Sequence, residues 1–371
     1  RQLIDLYEAG DLKAAKKLAT KLLKEDPDSF DLYNRLGLIT EGLGDADEAM
    51  ENYQHAIQLK PDFAEAHYNL ANVFLNQNKL DEAINNYQTA IQLDPNYADF
   101  YCGLARALDA NDQLDAAIKN YEQAIKLEPN NADFYCDLAW ALKVNDQLGA
   151  AIKNYRTAIK LSPNDAFLYY ILGHSLAYNK QLDEAIKMYE QAIKLDPDHP
   201  HYYQRLGRAL GKNEQFHEAI KIYEQAVKLK PDATISTDIH SELHYYLGRV
   251  LSANGQFEEA ITNYKRALYN NPNFTEPRNQ LNAIIKHYRA AIKLEPDNAN
   301  TYYNLAKLLQ KPAAPYDIVD LDNIHEAIKN YEQAIKLEPN NTDFYHGLGL
   351  TFYAINRGDE AIKNYEQAIK L

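Results

Sequence analysis

The chain has 371 residues, with 39 Lys+Arg against 53 Asp+Glu, a net charge of −14 and 46% hydrophobic residues. That apolar content supports a packed interior and excludes a disordered chain, while the acidic balance lacks the global basic footprint that nucleic-acid binding needs. No apolar run reaches the roughly 18 residues of a membrane span, no signal peptide begins at Arg1, and two cysteines exclude a disulfide framework or a four-cysteine zinc site.

Residues 1–29 form a partial unit that ends just past Pro27. Pro61, Pro95, Pro129, Pro163, Pro197 and Pro231 follow, each 34 residues after the last. A fixed period of this length marks stacked helix–turn–helix units, each burying its apolar face on the next. Length alone would suggest two or three globular domains, but a stacked array is one architecture however long it runs. Six regular units therefore span 30–233, with the proline at position 32 of each.

Counted this way, position 7 is Leu36, Leu70, Leu104, Leu138, Leu172, Leu206 and Leu247, and position 8 is always Gly or Ala. Position 20 is Ala49, Ala83, Ala117, Ala151, Ala185, Ala219 and Ala260. Position 24 is Tyr53, Tyr87, Tyr121, Tyr155, Tyr189, Tyr223 and Tyr264, and position 27 is again Ala. Positions 4, 7, 8 and 11 share one face of a first helix; 20, 24 and 27 share one face of a second. Small residues let the two helices approach, and Tyr at 4 and 24 fills the remaining space. Asn111, Asn145, Asn179, Asn213 and Asn254 recur at position 14, where a left-handed residue would end the first helix. Leu80-Asp81, Leu114-Asp115 and Leu182-Asp183 then predict an apolar residue and N-cap opening the second.

The last third breaks the period, with further units at 241–274, 275–298, 299–341 and 342–371. Seven extra residues fall around Thr234–His240, and nine fall in the turn at Lys311–Asn323, where Pro312 and Pro315 forbid helix. The unit at 275–298 is ten residues short, yet Leu281 and Tyr288 keep the register. Either two helices fuse near Pro277–Leu294, or a turn is omitted between about Ala283 and Lys286; the omission is favoured. The chain begins inside a unit and stops at Leu371, so both ends look cut from a longer protein, since arrays normally carry polar caps.

Tyr-x-x-Leu-Gly/Ala, Ala at 20, Tyr at 24, Ala at 27 and Pro at 32 resemble the tetratricopeptide repeat family, in phase over nearly the whole chain and in the style of a bacterial tandem array. The resemblance implies an all-α solenoid, a right-handed superhelix with first helices lining the concave face and second helices outside.

Glu122→Lys126, Glu190→Lys194, Glu224→Lys228, Glu332→Lys336 and Glu366→Lys370 place Glu four residues before Lys, as expected of a solvated outer face. Position 2 is acidic in most units, which the helix macrodipole favours; an acidic rim for a basic segment is the alternative. By the resemblance, positions 5 and 9 point into the groove. Position 9 carries Arg106, Trp140, His174, Arg208 and Arg249 in five consecutive units, and position 5 adds Tyr170 and Tyr245. Arg and aromatic side chains are the usual energetic anchors of interfaces, and Arg clamps carboxylates two-pronged.

These seven residues are the expected partner-binding groove: Arg106, Arg208 and Arg249 for acidic groups, Trp140, Tyr170 and Tyr245 for aromatic or apolar ones, and His174 as a pH-sensitive member. The carboxylate clamp of chaperone-tail-binding family members is absent, since position 5 has no Lys. An Asn ladder at position 6 is matched only by Asn69 and Asn304. His240 and His244 sit four apart but lack a third ligand, so no metal is expected. No Gly-rich phosphate loop, Gly-x-Ser-x-Gly or His-Glu-x-x-His occurs, so neither cofactor nor catalysis is expected. Cys102 and Cys136, one repeat apart, are expected to stay free thiols in a reducing, cytoplasmic compartment. The expected function is a non-catalytic protein–protein interaction scaffold. The alternative is the recognition arm of a larger enzyme, such as a glycosyltransferase, sulfotransferase or kinase. Self-association through uncapped ends is a further possibility.

Overall fold

A computed structural model describes residues 1–229, 237–310 and 321–371. Among them the chain forms α-helices and no strands. The helices fall into two compact units. The first, Arg1–Gln181, holds α1 (Gln2–Glu8), α2 (Leu12–Glu25), α3 (Phe30–Gly42), α4 (Ala46–Leu59), α5 (Ala64–Asn76), α6 (Leu80–Leu93), α7 (Ala98–Ala110), α8 (Leu114–Leu127), α9 (Ala132–Val144), α10 (Leu148–Leu161) and α11 (Ala166–Tyr178). The second, Leu182–Leu371, holds α12 (Leu182–Leu195), α13 (Pro200–Lys212), α14 (Phe216–Ala226), α15 (Thr237–Ala253), α16 (Phe257–Asn270), α17 (Thr275–Leu294), α18 (Ala299–Leu309), α19 (Leu321–Leu337), α20 (Thr342–Ala354) and α21 (Gly358–Lys370). Within each unit, first helices pack on the second helices of their own repeats, as α3 on α4 and α13 on α14, and second helices on the next first helix, as α4 on α5 and α14 on α15.

The packing residues are those the period singles out. Ala49, Ala83, Ala117 and Ala151 are fully buried, and so are the rings of Tyr53, Tyr87, Tyr121 and Tyr155 beside them. Small residues make room for these rings, from the same repeat or from the next. A Cβ on Gly37, at position 8, would lie 2.4 Å from Tyr53 of the same repeat. A Cβ on Gly103, at position 6, would lie 2.4 Å from Tyr87 of the preceding repeat. The ring is thus a wedge closing both the helix pair and the junction to the next pair.

The prolines have a second task. The Pro95 carbonyl accepts from the Tyr101 hydroxyl at 3.2 Å, Pro129 from Tyr135 at 3.1 Å, Pro163 from Tyr169 at 3.1 Å and Pro197 from Tyr203 at 3.0 Å. Position 4 therefore ties the start of each first helix to the turn before it. His67 makes the same bridge to Pro61, at 3.1 Å.

The turns differ from the sequence-based expectation by one residue. Asn111, Asn145 and Asn213 keep negative φ as C-caps. The left-handed residue is the next one: Asp112 (φ 56), Asp146 (φ 56), Lys180 (φ 62) and Glu214 (φ 60). Its successor bonds back across the turn, as in Gln113 N–H to Leu108 C=O at 2.8 Å, which satisfies a helix-end carbonyl. The Asn side chains bind repeats together instead: Asn145 donates to Asp115 at 3.1 Å and Asn213 to Asp183 at 3.0 Å. Those aspartates and Asp81 lie one residue inside their helices, so they are first-turn acids and not the expected N-caps.

In the shortened repeat the sequence as given takes the fused arrangement, with one helix where other repeats have two. α17 runs unbroken for 20 residues through Ala283–Lys286. Nothing there interrupts it: the segment has no Gly, and Pro277 sits in the first turn, where no intrahelical N–H bond is lost. Leu281, Ile284 and Tyr288 are buried along one stripe, so a single helix performs the packing of two. One consequence is that α16 comes opposite α18, with Lys307 Nζ 3.1 Å from Glu258 Oε2. Of the expected insertions at Thr234–His240 and Lys311–Asn323, residues 237–240 and 321–323 are helical, in α15 and α19, while the rest, with Pro231, Pro312 and Pro315, lies outside the described residues.

Because the wedge closes two contacts at once, Tyr155→Ala, at a site 1% exposed, is expected to destabilise the first unit by about 3–5 kcal/mol. Urea unfolding followed by circular dichroism measures this. A loss below about 1 kcal/mol, the scale of an ordinary surface change, would show that the ring is not a wedge.

Candidate functional site

The expected site residues all lie on first helices, and they fall in both units. In the first unit Arg106 is on α7, Trp140 on α9, and Tyr170 and His174 on α11. In the second, Arg208 is on α13, and Tyr245 and Arg249 are on α15.

The Trp140 ring is 52% exposed, unusual for the one tryptophan of a chain. Lys143 Nζ stands 5.1 Å from its centre and 3.2 Å from His174 Nδ1, to which it donates. That bond places the free sides of α9 and α11 next to each other. Three residues not foreseen from the sequence extend the patch. Val144 lies one turn beyond Trp140, and Phe167 and Tyr178 flank Tyr170 and His174 on α11; all three are exposed, Tyr178 by 71%. Tyr170, half-buried, packs its ring 6.2 Å from Phe167. The signal was present: residues 166–178 contain no Asp, Glu, Lys or Arg, so one side of α11 must be apolar whether or not it is covered. Exposed apolar side chains gathered on two such first helices mark an interaction surface more often than chance exposure does.

Arg106 departs from the expectation. Its Nη2 and Nε reach Asp137 Oδ2 of the next first helix at 2.7 and 3.0 Å. The guanidinium is already paired, so it is not an open clamp. With Asp109, Asp137, Trp140 and Val144 it lines a cavity of about 360 Å³ between α7 and α9. Burial, then the charges of Asp137 and Asp112, push the Asp109 carboxyl up, so this notch is net acidic.

Tyr245 is also corrected. It is 9% exposed, with its ring 6.2 Å from Tyr264 and 5.2 Å from Phe274. Tyr68 and Tyr303, in the same column, pack likewise on Phe100 and Phe344 at 5.1 and 5.0 Å. A long ring at position 5 leans into the seam between its own position-24 tyrosine and the next repeat, where apolar area is removed from water. Position 9 lies one turn further round and stays open. Arg208 and Arg249 keep their guanidinium groups 5.1 and 5.9 Å from the rings of Tyr246 and Tyr245. Neither is in an ion pair among the described residues.

The Glu→Lys pairs of α8, α12, α19 and α21 are exposed, as are Glu224 on α14 and Lys228 just beyond its end. His240 and His244 are engaged in packing: His240 Nε2 lies 3.1 Å from the Leu229 carbonyl and His244 Nδ1 2.9 Å from Asn263 Oδ1. Among the described residues no helix is long and apolar enough to cross a membrane, and no group of three His, Cys, Asp or Glu is placed to hold a metal ion.

Family models described as TPR repeat match residues 42–78, 71–112, 110–144, 277–311 and 319–356. Models described as tetratricopeptide repeat match 165–232, 204–273, 132–165 and 342–371. The chain belongs to the tetratricopeptide-repeat family. No curated protein matches it. Among solved structures, MamA is 27% identical, covering 43% of this chain and 93% of its own, with a TM-score of 0.40. YrrB, described as a TPR protein with an unusual peptide-binding site, is 21% identical, covering 53% and 97%, with a TM-score of 0.43. Pseudomonas aeruginosa pilF is 16% identical, covering 58% and 95%, with a TM-score of 0.46. At TM-scores this low these likenesses carry no weight for function. Membership of the family supports an interaction scaffold with protein or peptide partners.

Both cysteines of this tetratricopeptide-repeat chain are free. Burial, set against a smaller opposing pull from Arg106, pushes the Cys102 thiol up to about 12; burial and then Asp137 push Cys136 to about 12. A raised thiol favours the neutral form, so thiolate is scarce below that pH. Iodoacetamide labelling of the folded protein, followed by mass spectrometry, should stay slow from pH 7 to 10 and become fast only on unfolding. Labelling that rises through pH 8.5, as for a free thiol, would contradict the burial.

Proposed function

We propose that this chain is a non-catalytic scaffold whose first-helix faces bind partner polypeptides, and that the α9–α11 face of the first unit is its apolar anchor site. The observation that carries this reading is Trp140, half-exposed among Val144, Phe167 and Tyr178 on helices whose other sides are fully packed. Exposed aromatics lose water on docking, and Trp is the residue type most enriched among interface hot spots. A partner inserts an apolar side chain against Trp140 while Lys143 holds the indole from its other side. Next to it, the carboxylates between α7 and α9 favour a basic neighbour on that partner over an acidic one. Arg106, bound to Asp137, shapes the notch and contributes little attraction of its own.

Trp140 is the single tryptophan, so its fluorescence reports this site alone. Peptides selected from a random library against the folded chain should blue-shift the emission as the indole leaves water. Trp140→Ala should weaken the same peptides about tenfold or more, with helicity unchanged, the scale of a hot-spot truncation. Peptides that bind equally well to Trp140→Ala, with no emission change in the wild type, would refute the assignment.

A further inference from the structure

The second unit holds a group of positive charges that its own fold leaves unmatched. Arg205 and Arg208 stand on α13, and Arg249 on α15. A chain of rings joins the latter two: Arg208 lies 5.1 Å from Tyr246, Tyr246 lies 5.1 Å from Tyr245, and Arg249 lies 5.9 Å from Tyr245. Tyr246 in turn stacks 6.3 Å from Tyr223. Burial pushes the Tyr223 phenol up, while the charges of Arg208, Arg249 and Arg205 all pull it the other way, so the three guanidinium groups act on one spot.

No described carboxylate forms an ion pair with any of them. The acid at the rim, Glu242, accepts instead from the Gln204 amide. The Nε of Arg205 is buried without a hydrogen-bond partner. Three like charges brought together in a chain of net charge −14 repel one another, and a buried donor without an acceptor adds a desolvation cost. Elsewhere the same chain neutralises such arginines, as Arg106 with Asp137 and Arg289 with Glu326 at 2.6 Å.

We propose that Arg205, Arg208 and Arg249 form an anion site on the α13–α15 face that binds the side-chain carboxylates of an acidic peptide segment. This rests on the reading that first-helix faces bind partners, and it names the partner chemistry for the second unit. The tyrosine rings support two guanidinium groups that no described carboxylate pairs, and a guanidinium receives carboxylates two-pronged. Polypeptide fits better than nucleic acid: the strongly acidic chain lacks the long basic track that phosphate backbones require, and Glu242 at the rim repels a dianion. A flexible acidic segment meets the arginines with spaced single charges and packs its stems on the tyrosines.

The test uses the full chain and fluorescence anisotropy with a labelled Ala/Leu peptide carrying four glutamates, beside the same peptide with four glutamines. The glutamate peptide should bind about tenfold or more tightly than the glutamine peptide, and added salt should weaken it. Arg208→Glu and Arg249→Glu should each lower its affinity by a similar factor, with helicity retained. Lys126→Glu on the outer face of α8 should leave it unchanged. Equal binding of the two peptides, or losses in Arg208→Glu no larger than in Lys126→Glu, would overturn the site. A phosphoserine peptide or an oligothymidylate bound in preference to the glutamate peptide would overturn the carboxylate assignment. If Trp140-dependent peptides still bind while these results fail, the anion site alone falls.

Discussion

Everything in each unit depends on one contact: a tyrosine ring at position 24 seated against a small residue at position 8 of its own repeat. The ring is large enough to fill the space between two helices and rigid enough to set their separation. Its neighbours must be Gly or Ala, because a larger side chain at Gly37 or Gly103 would occupy the volume of the ring. The same contact serves helix pairing and repeat stacking, so a 34-residue unit that cannot bury its own apolar face alone becomes stable in an array. Hydrogen bonds to the proline carbonyls and Asn–Asp ties then join successive repeats within a unit.

That division of labour leaves the remaining sides of the first helices free of structural duty, and the two units use the freedom differently. In the first, α9 and α11 expose an aromatic patch beside an acidic notch. In the second, α13 and α15 present arginines supported by tyrosine planes. Two chemistries on one scaffold suit partners with an apolar anchor and an acidic segment, whether these lie on one polypeptide or two.

The fold was largely legible because packing residues repeat: a period of 34 shows itself through Tyr155, Tyr189 and Tyr223 without knowledge of any contact. The site was legible only in part, because recognition residues are the ones that do not repeat. Trp140, Arg208 and Arg249 stood out by chemistry in a column that packing leaves open. Tyr245 did not belong with them, since a ring at position 5 reaches the seam that a shorter side chain would miss. Arg106 was misread because its partner, Asp137, lies 31 residues away at a position with no fixed chemistry. Phe167 and Tyr178 were missed because an uncharged helix looks like core until the structure shows which side is covered. α17 eluded the period for a simpler reason: a helix needs no turn when nothing in its sequence stops it.

The central claim is that stability resides in the tyrosine–small-residue columns and recognition in the open positions beside them. The most direct test is thermal unfolding, by circular dichroism, of one variant combining Trp140→Ala, Phe167→Ser, Tyr178→Ser, Arg208→Ser and Arg249→Ser. The account predicts helicity and a melting temperature within a few degrees of the wild type, because exposed substitutions each change stability by only about 0.5 kcal/mol. A melting temperature lowered by 15 °C or more, or a loss of helix, would show that these residues hold the fold together and contradict it.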